Sequence, residues 1–436
     1  MKPCGQERLM VGWLGVCVLL IVPTFAFGNG FDIYEQGAKA VGMGGAFTAQ
    51  ADDPSAIFFN PAGILQMEGT QVSVGITPIM PSVTFKSDGN ALMGSTAGQK
   101  TDAKDHTWLI PNGYITQKVN ERISIGIGSF AHFGLGIEWP KDFEGRFAAG
   151  SSKAILKTTS ISPVIAIKPV DRLLLGFGPY FQYMSIELHN NAFIGFPTPP
   201  LTADRNLAQT ADARVEGADW GWGYNLGLLF RIMKNLTFGA SYLSEARHKI
   251  NGNQELTSLS NGTTILKQGA SGTITLPATL RLGLAWKRNP WTFEIDGQWT
   301  EWSSFRDLRI DFEDGTSVDV PKKWHNSWTY RFGVQYTVNK YLDLRAGFIY
   351  DQTPIPRDTL DPLVPSGNVI FYCLGLGTHL GRFTVDAGYN YVQGEQRRWN
   401  NPAGDVMVGP FPLTRVTGKF INSSAHLFSV SASYRF

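Results

Sequence analysis

From Thr70 to the carboxyl terminus, apolar and polar side chains alternate with a period of two, and this constrains the fold more than any other feature. Val72, Val74 and Ile76 alternate with Ser73, Gly75 and Thr77. Leu173, Leu175, Phe177, Phe181 and Tyr183 oppose Gly176, Gly178 and Gln182. Trp328, Tyr330, Phe332, Val334 and Tyr336 oppose Arg331, Gly333 and Gln335. Phe383, Val385, Ala387, Tyr389 and Tyr391 oppose Thr384, Asp386, Gly388 and Asn390. One apolar and one polar face over about ten residues is the pattern of a strand that crosses a bilayer as part of a closed barrel.

A soluble sandwich also alternates, but two features favour the membrane. Aromatics gather at strand ends, at Trp220, Trp222, Trp286, Trp299, Trp302, Tyr336, Tyr341 and Tyr350, as interfacial girdles require. Connections alternate between tight and long. Tight turns fall at Asn120-Glu121, Val170-Asp171, Lys234-Asn235, Asn289-Pro290, Asn339-Lys340 and Gly381-Arg382. Long polar stretches fall near 88–105, 137–153, 190–211, 250–270, 306–323, 353–367 and 397–423. The chain ends on Phe436, on the lipid-facing parity of a strand running from His426. The expected fold is an all-β membrane protein, an antiparallel outer-membrane β-barrel of about fourteen strands.

Other classes fall away. After residue 28 there is no apolar run of roughly 18 residues, so membrane helices are not expected. The net charge of +2 comes from scattered residues, without the basic stripe of a nucleic-acid binder. Lys2 and Arg8, the apolar run 9–22 and Ala26-Phe27-Gly28 read as a signal peptide over residues 1–28. Cys4 and Cys17 belong to that leader, which leaves Cys373 without a disulfide partner. Between leader and strands, residues 42–63 are rich in Gly and Ala and carry Ile57, Phe58 and Phe59. They are too short and broken to span a bilayer as a helix and too apolar for water. Residues 29–68 are therefore expected to plug the barrel as a small hatch with short helices, and residues 69–436 to form the barrel.

At this point the chain resembles the FadL/TodX (OmpP1) family of outer-membrane long-chain fatty-acid and hydrocarbon transporters. The resemblance rests on Gly30-Phe31, on 42–46 with 51–55 and Asn60-Pro61-Ala62-Gly63, on 351–356 with Leu363-Val364-Pro365, and on 384–389. It implies that the Asn60, Pro61 and Ala62 turn packs against an inward kink of the third strand and that Phe31 lies in an interior binding site. The third strand is expected over 122–139, where Phe130, Phe133 and Gly134 sit in a stretch that breaks alternation. Glycine within a strand independently marks a bend.

Lumen-facing parity also holds Arg231, Arg281, Arg331 and Arg345 with Glu294, Asp296, Asp343 and Asp386. They read either as paired charges that stabilise the wall or as a source of one carboxylate partner, with Arg281, Arg331 and Arg345 the candidates. The histidines lack metal spacing, and no Ser/His arrangement suggests an enzyme. Pro197–Pro200 and Pro354–Pro365 mark outer loops, and Phe193, Ile194 and Phe196 are candidates for a weak first capture site.

The expectation is passive outer-membrane transport of a hydrophobic small molecule, a long-chain fatty acid, with hatch-gated sideways release into the bilayer. Aromatic or alkane hydrocarbon uptake, a general diffusion porin and a structural or adhesive barrel are the alternatives. No cofactor, metal or nucleic acid is expected. Outer-membrane lipid is the surrounding partner, and the barrel is expected to be a monomer.

Overall fold

The computed structural model describes residues 30–148, 152–194, 210–408 and 411–436. The leader, Phe196 and Pro197–Pro200 lie outside the described residues. The wall is built of β1 (Thr70–Ser87), β2 (Trp108–Asn120), β3 (Ile123–Phe130 continued by Gly134–Glu138), β4 (Lys153–Val170) and β5 (Leu173–Phe193). It continues with β6 (Thr210–Met233), β7 (Leu236–Leu243 and Ala246–Ser258), β8 (Thr264–Leu276 and Thr279–Arg288) and β9 (Trp291–Thr300). β10 (Ser327–Asn339), β11 (Leu342–Asp351), β12 (Val369–Leu380), β13 (Phe383–Gly394) and β14 (Gly418–Arg435) complete it. Neighbours pair antiparallel, and β1 closes on β14, with Gln71 opposite Arg435 and Ser87 opposite Gly418. Closure pairs the first strand with the last in the hydrocarbon, where an unpaired backbone group is costly.

The alternation becomes two environments. On β5, Phe177 and Phe181 are about half exposed to the outside, whereas Gln182 and Met184 are fully buried inside. The six tight turns fall between β2–β3, β4–β5, β6–β7, β8–β9, β10–β11 and β12–β13, all at one rim.

Four expectations need correction. The stretch 250–270 is not a loop: β7 and β8 continue through it as a hairpin rising past the wall. The stretch 306–323 contains two strands, Asp307–Phe312 and Ser317–Pro321. Trp302 does not join a girdle; it is fully buried inside. Arg231 has lumen parity but stands exposed at the short-turn rim.

β3 breaks at Ala131–Phe133. There the Thr158 hydroxyl of β4 accepts from Phe133 N at 3.1 Å and donates to Phe133 O at 2.6 Å. A side chain thus satisfies backbone groups that a ladder would otherwise take. Below the break β3 pairs with β2 as far as Ser129 opposite Gly113. Above it, Gly134–Glu138 pairs only with β4. The Trp108 ring of β2 fills the resulting gap: a Cβ on Gly136 would stand 2.5 Å from it.

Candidate functional site

The hatch carries α1 (Ala38–Gly42), α2 (Ala56–Phe59) and a 3-10 turn, Pro61–Gln66. It coils inside the wall against the strand order. Val41 meets Gly388 of β13, Gly42 meets Gly375 of β12, Gly44 meets Gly347 of β11, and Met43 meets Gly333 of β10. Thr48 then lies on Gly239 of β7. Asn60, Pro61 and Ala62 lie on Gly227 of β6 and Gly176 of β5. A Cβ at Gly176 would stand 2.3 Å from Ala62 N, and one at Gly227 would stand 2.3 Å from Asn60 Oδ1. Only glycine lets two backbones approach so closely.

On β9 carboxylates replace glycine. Asp296 accepts from Phe47 N and Thr48 N, both at 3.0 Å. Glu294 accepts from Ala49 N at 2.6 Å and Gln50 N at 2.9 Å. Four consecutive hatch N–H groups thus find acceptors on two adjacent wall side chains. Asn60 Nδ2 donates to Thr48 O at 2.8 Å and Leu228 O at 3.0 Å, and its Oδ1 caps Ala62 N at 3.2 Å. The turn at Asn60, Pro61 and Ala62 therefore seats on β5 and β6, not against the β3 kink as expected. Phe58 is the residue of the hatch body that faces the kink, edge-on to Phe130 at 5.4 Å.

The kink itself is met by the N-terminal segment. Ile33 N donates to His132 O at 2.9 Å, and Gly134 N donates to Phe31 O at 2.7 Å, a short antiparallel pairing centred on Asp32 and Phe133. Gln36 Nε2 adds a bond to Ala131 O at 2.6 Å. The Phe31 ring is boxed by Trp302 at 4.6 Å, Trp324 at 5.5 Å, Phe305 at 5.6 Å and Phe133 at 6.1 Å. Trp139, Leu360, Leu363 and Val364 extend the box into one apolar chamber that these side chains and Phe31 themselves fill. Phe31, Phe133 and Gly134 therefore converge at one place, whereas Phe130 packs below the break with Phe58 and Tyr114 in the cluster that also holds Ala62.

Polar groups anchor the segment from beneath. Gln298 Nε2 donates to Asp32 at 2.7 Å, and Tyr34 OH donates to Asp351 at 3.0 Å. Asp32 and Glu35 lie outside the spanning strands. Burial pushes both carboxyls up to about 7, against the pull of Arg281 and Arg331 at Asp32.

The three candidate arginines differ. Arg345 is spent on Asp386 at 2.7 Å and Asp343 at 3.3 Å. Arg281 donates to Gln298 at 3.0 Å and Phe58 O at 3.1 Å and stacks on the Phe58 ring. Arg331 lies over the Tyr34 ring at 4.3 Å, with its Nε and Nη2 buried and without a hydrogen-bond partner among the described residues. Sequence reasoning missed buried cations beside the chamber, among them Arg146, which stacks on Phe147, and Lys322. Of these, Lys322 is the one nearer the Phe31 box in sequence. It is 3% exposed, paired with Asp361 of the Pro-rich loop, two residues from Trp324. Asp361 also caps Leu363 N at 2.9 Å.

The family model described as outer membrane protein transport protein (OMPP1/FadL/TodX) matches residues 19–436. A long-chain fatty acid transport protein of Escherichia coli O6:H1 is 24% identical over 90% of this chain and 92% of its own length. Among solved structures, a Pseudomonas aeruginosa FadL homologue superposes with a TM-score of 0.78 at 23% identity, covering 93% of this chain and all of that one. The P. putida toluene transporter TodX does so at 0.71 and 18% identity, over 93% and 99%. The barrel is an outer-membrane protein, and the chain belongs to the OMPP1/FadL/TodX family of outer membrane transport proteins.

Proposed function

We propose that this member of a family that moves hydrophobic compounds through the outer membrane carries long-chain fatty acids. The tail lies in the aromatic chamber, and the carboxylate takes the place of Asp361 at Lys322. Lys322 is the observation that carries the reading. A channel for hydrocarbons alone has no use for an ammonium held beside the Phe31 box, where taking Lys322 and Asp361 out of water is costly.

Phe31 occupies the space the tail needs. Burying a sixteen-carbon chain gains about 12 kcal/mol before ordering costs, at roughly 0.8 kcal/mol per methylene. That exceeds what Phe31 gains from its box, about 2–3 kcal/mol. The incoming tail therefore displaces Phe31, and the two backbone bonds to His132 and Gly134 go with it. The gap between β2 and β3 then loses its inner cover, and the tail slides past Trp108 into the bilayer. Chamber and bilayer are both apolar, so this step costs little, whereas crossing the charged hatch layer would cost much.

The test is equilibrium binding of palmitate and of toluene to the purified barrel in detergent. It compares the wild type with the double variant Lys322→Met/Asp361→Leu, which removes both charges and leaves neither stranded. Palmitate affinity is expected to fall about tenfold or more, with toluene unchanged. Palmitate bound equally by both proteins would sink the carboxylate assignment. Toluene binding without palmitate binding would make the protein a hydrocarbon carrier.

A further inference from the structure

The outer wall from β4 to β8 differs from the rest of the circumference. Register places Lys157, Ser185, Ala218, Asn251 and Ser271 side by side on five successive strands. Their small side chains leave shallow grooves. One of 360 Å3 is lined by Lys157, Ser185, Ala218 and Asn251, and one of 430 Å3 by Lys249, Ser271, Thr273 and Arg309. The next rows towards the bilayer carry Tyr183 with Trp220 and Phe181 with Trp222. Trp220 and Trp222 are 61% and 70% exposed, the place of an outer girdle. Lys249 and Arg247 stand on β7 beside this aromatic block.

Lys157, Arg247 and Lys249 make no ion pair among the described residues. Of the nearby acids, Glu187 pairs with Lys153 at 3.0 Å and His189 at 2.8 Å, Glu216 with Arg214 at 2.5 Å and Asp311 with Arg309 at 2.8 Å, while Asp219 accepts from Lys249 N at 2.8 Å and Asp307 lines the second groove without an ion pair among the described residues. Across the barrel, the corresponding row from β10 to β1 reads Tyr330, Tyr350, Ile370, Gln393, Ser424 and Ser82, without a cation. Further out, Lys86, Lys100 and Lys419 also stand together without an ion pair among the described residues, but β1 and β14 beneath them carry no tryptophan; unpaired cations beside exposed tryptophans mark the β4–β8 sector.

We propose that this sector binds a phosphorylated glycolipid of the outer leaflet. The sugar headgroup lies on the small-residue row, and its acyl chains run down over Trp220, Phe181 and Trp222. One phosphate meets Lys157 and a second meets Lys249 and Arg247. Across the strands these cations are three interstrand spacings apart, about 14 Å, with Lys249 about 7 Å further along its strand, the span of a headgroup phosphorylated at both ends. Cations beside interfacial aromatics are how a membrane protein holds an anionic lipid in place.

The test uses the full-length barrel in detergent, with bisphosphorylated lipid A and the same lipid stripped of its phosphates as probes. Native mass spectrometry reads the bound fraction. The variant Lys157→Gln/Arg247→Gln/Lys249→Gln is compared with Lys234→Gln/Lys340→Gln/Arg382→Gln at the opposite rim. The wild type is expected to bind the phosphorylated lipid at least about tenfold better than the stripped one. The first variant should lose that margin and the second keep it. Equal binding of the two probes by the wild type overturns the proposal, whether or not the variants fold. So does an undiminished margin in the first variant, or an equal loss in the second.

Discussion

The two parts of the plug are held by different physics. The hatch body, from α1 to the turn at Asn60, rests its backbone on wall glycines and gives four N–H groups to Asp296 and Glu294. The N-terminal segment before it meets the wall through two backbone bonds at the kink, a few side-chain bonds and the packing of side chains: Phe31 in its box, Ile33 among Ile79 and Ile349, and Tyr34 on Phe371 and Arg331. A body seated on backbone contacts has no room to slide, because any shift drives main chain into main chain. A segment held by separable bonds and side-chain packing can leave and return. On the proposed mechanism the mobile element of this barrel is therefore the segment 30–36, with the hatch body as its fixed floor.

The largest predicted effect attacks the floor. Gly227→Val places side-chain atoms where Asn60 and Ala62 lie and should destabilise the seated hatch by about 3 kcal/mol or more. The unfolding temperature falls and ionic conductance in planar bilayers rises. Gly113→Ala, whose Cβ would find only Ser73 O at 3.9 Å, should change neither.

Replacing the acceptors, Glu294→Gln with Asp296→Asn, weakens four bonds and should cost roughly 2 kcal/mol. Amide exchange at Phe47 to Gln50 should speed up while fatty-acid uptake persists. A complete loss of uptake would mean that the floor also moves.

Phe31→Ala removes the ring from its box, at about 1–2 kcal/mol of local seating. Exchange at the Ile33 amide should rise with the unfolding temperature of the barrel unchanged. A matching rise at Phe47 to Gln50 would erase the distinction between the two regions.

The smallest effect is that of pH. Asp32 and Glu35 titrate near 7 when seated and near 4 when free, so protonation favours the seated segment. Seating is fullest below about 4 and is lost as pH rises through about 7. Exchange at the Ile33 amide, corrected for its intrinsic pH dependence, should be faster at pH 8 than at pH 5. Asp32→Asn with Glu35→Gln should flatten that difference.

Much of this was legible in the sequence for a local reason. Strand parity, tight turns and the terminal Phe436 depend on neighbours in the chain, and so does the break near Phe130. The seat of Asn60, Pro61 and Ala62 depends on Gly176 and Gly227, more than a hundred residues away. The signal was there, as glycine recurring on lumen-facing positions of successive strands, but it has meaning only once a backbone is known to lie against it. Arg345 stays among the candidates because parity does not say which lumen carboxylate it pairs with, and its partner Asp386 sits two strands away. Lys322 was hidden in a stretch that reads as a polar loop, because hydropathy assigns polar loops to water. Val320 and Trp324 on the same side turn it inward.

The most direct test of the account is a pair of disulfide locks in a Cys373→Ala background. Asp32→Cys/Phe133→Cys joins residues directly opposite each other in the bridge between the N-terminal segment and the kink. Val41→Cys/Gly388→Cys joins the hatch body to β13, where the two Cβ positions lie 3.1 Å apart. Fatty-acid uptake by cells is measured for each, oxidised and then reduced. The account predicts that the first lock stops uptake, that reductant restores it, and that the second lock leaves uptake intact. Uptake that survives the first lock, or that the second lock stops as completely, would contradict it.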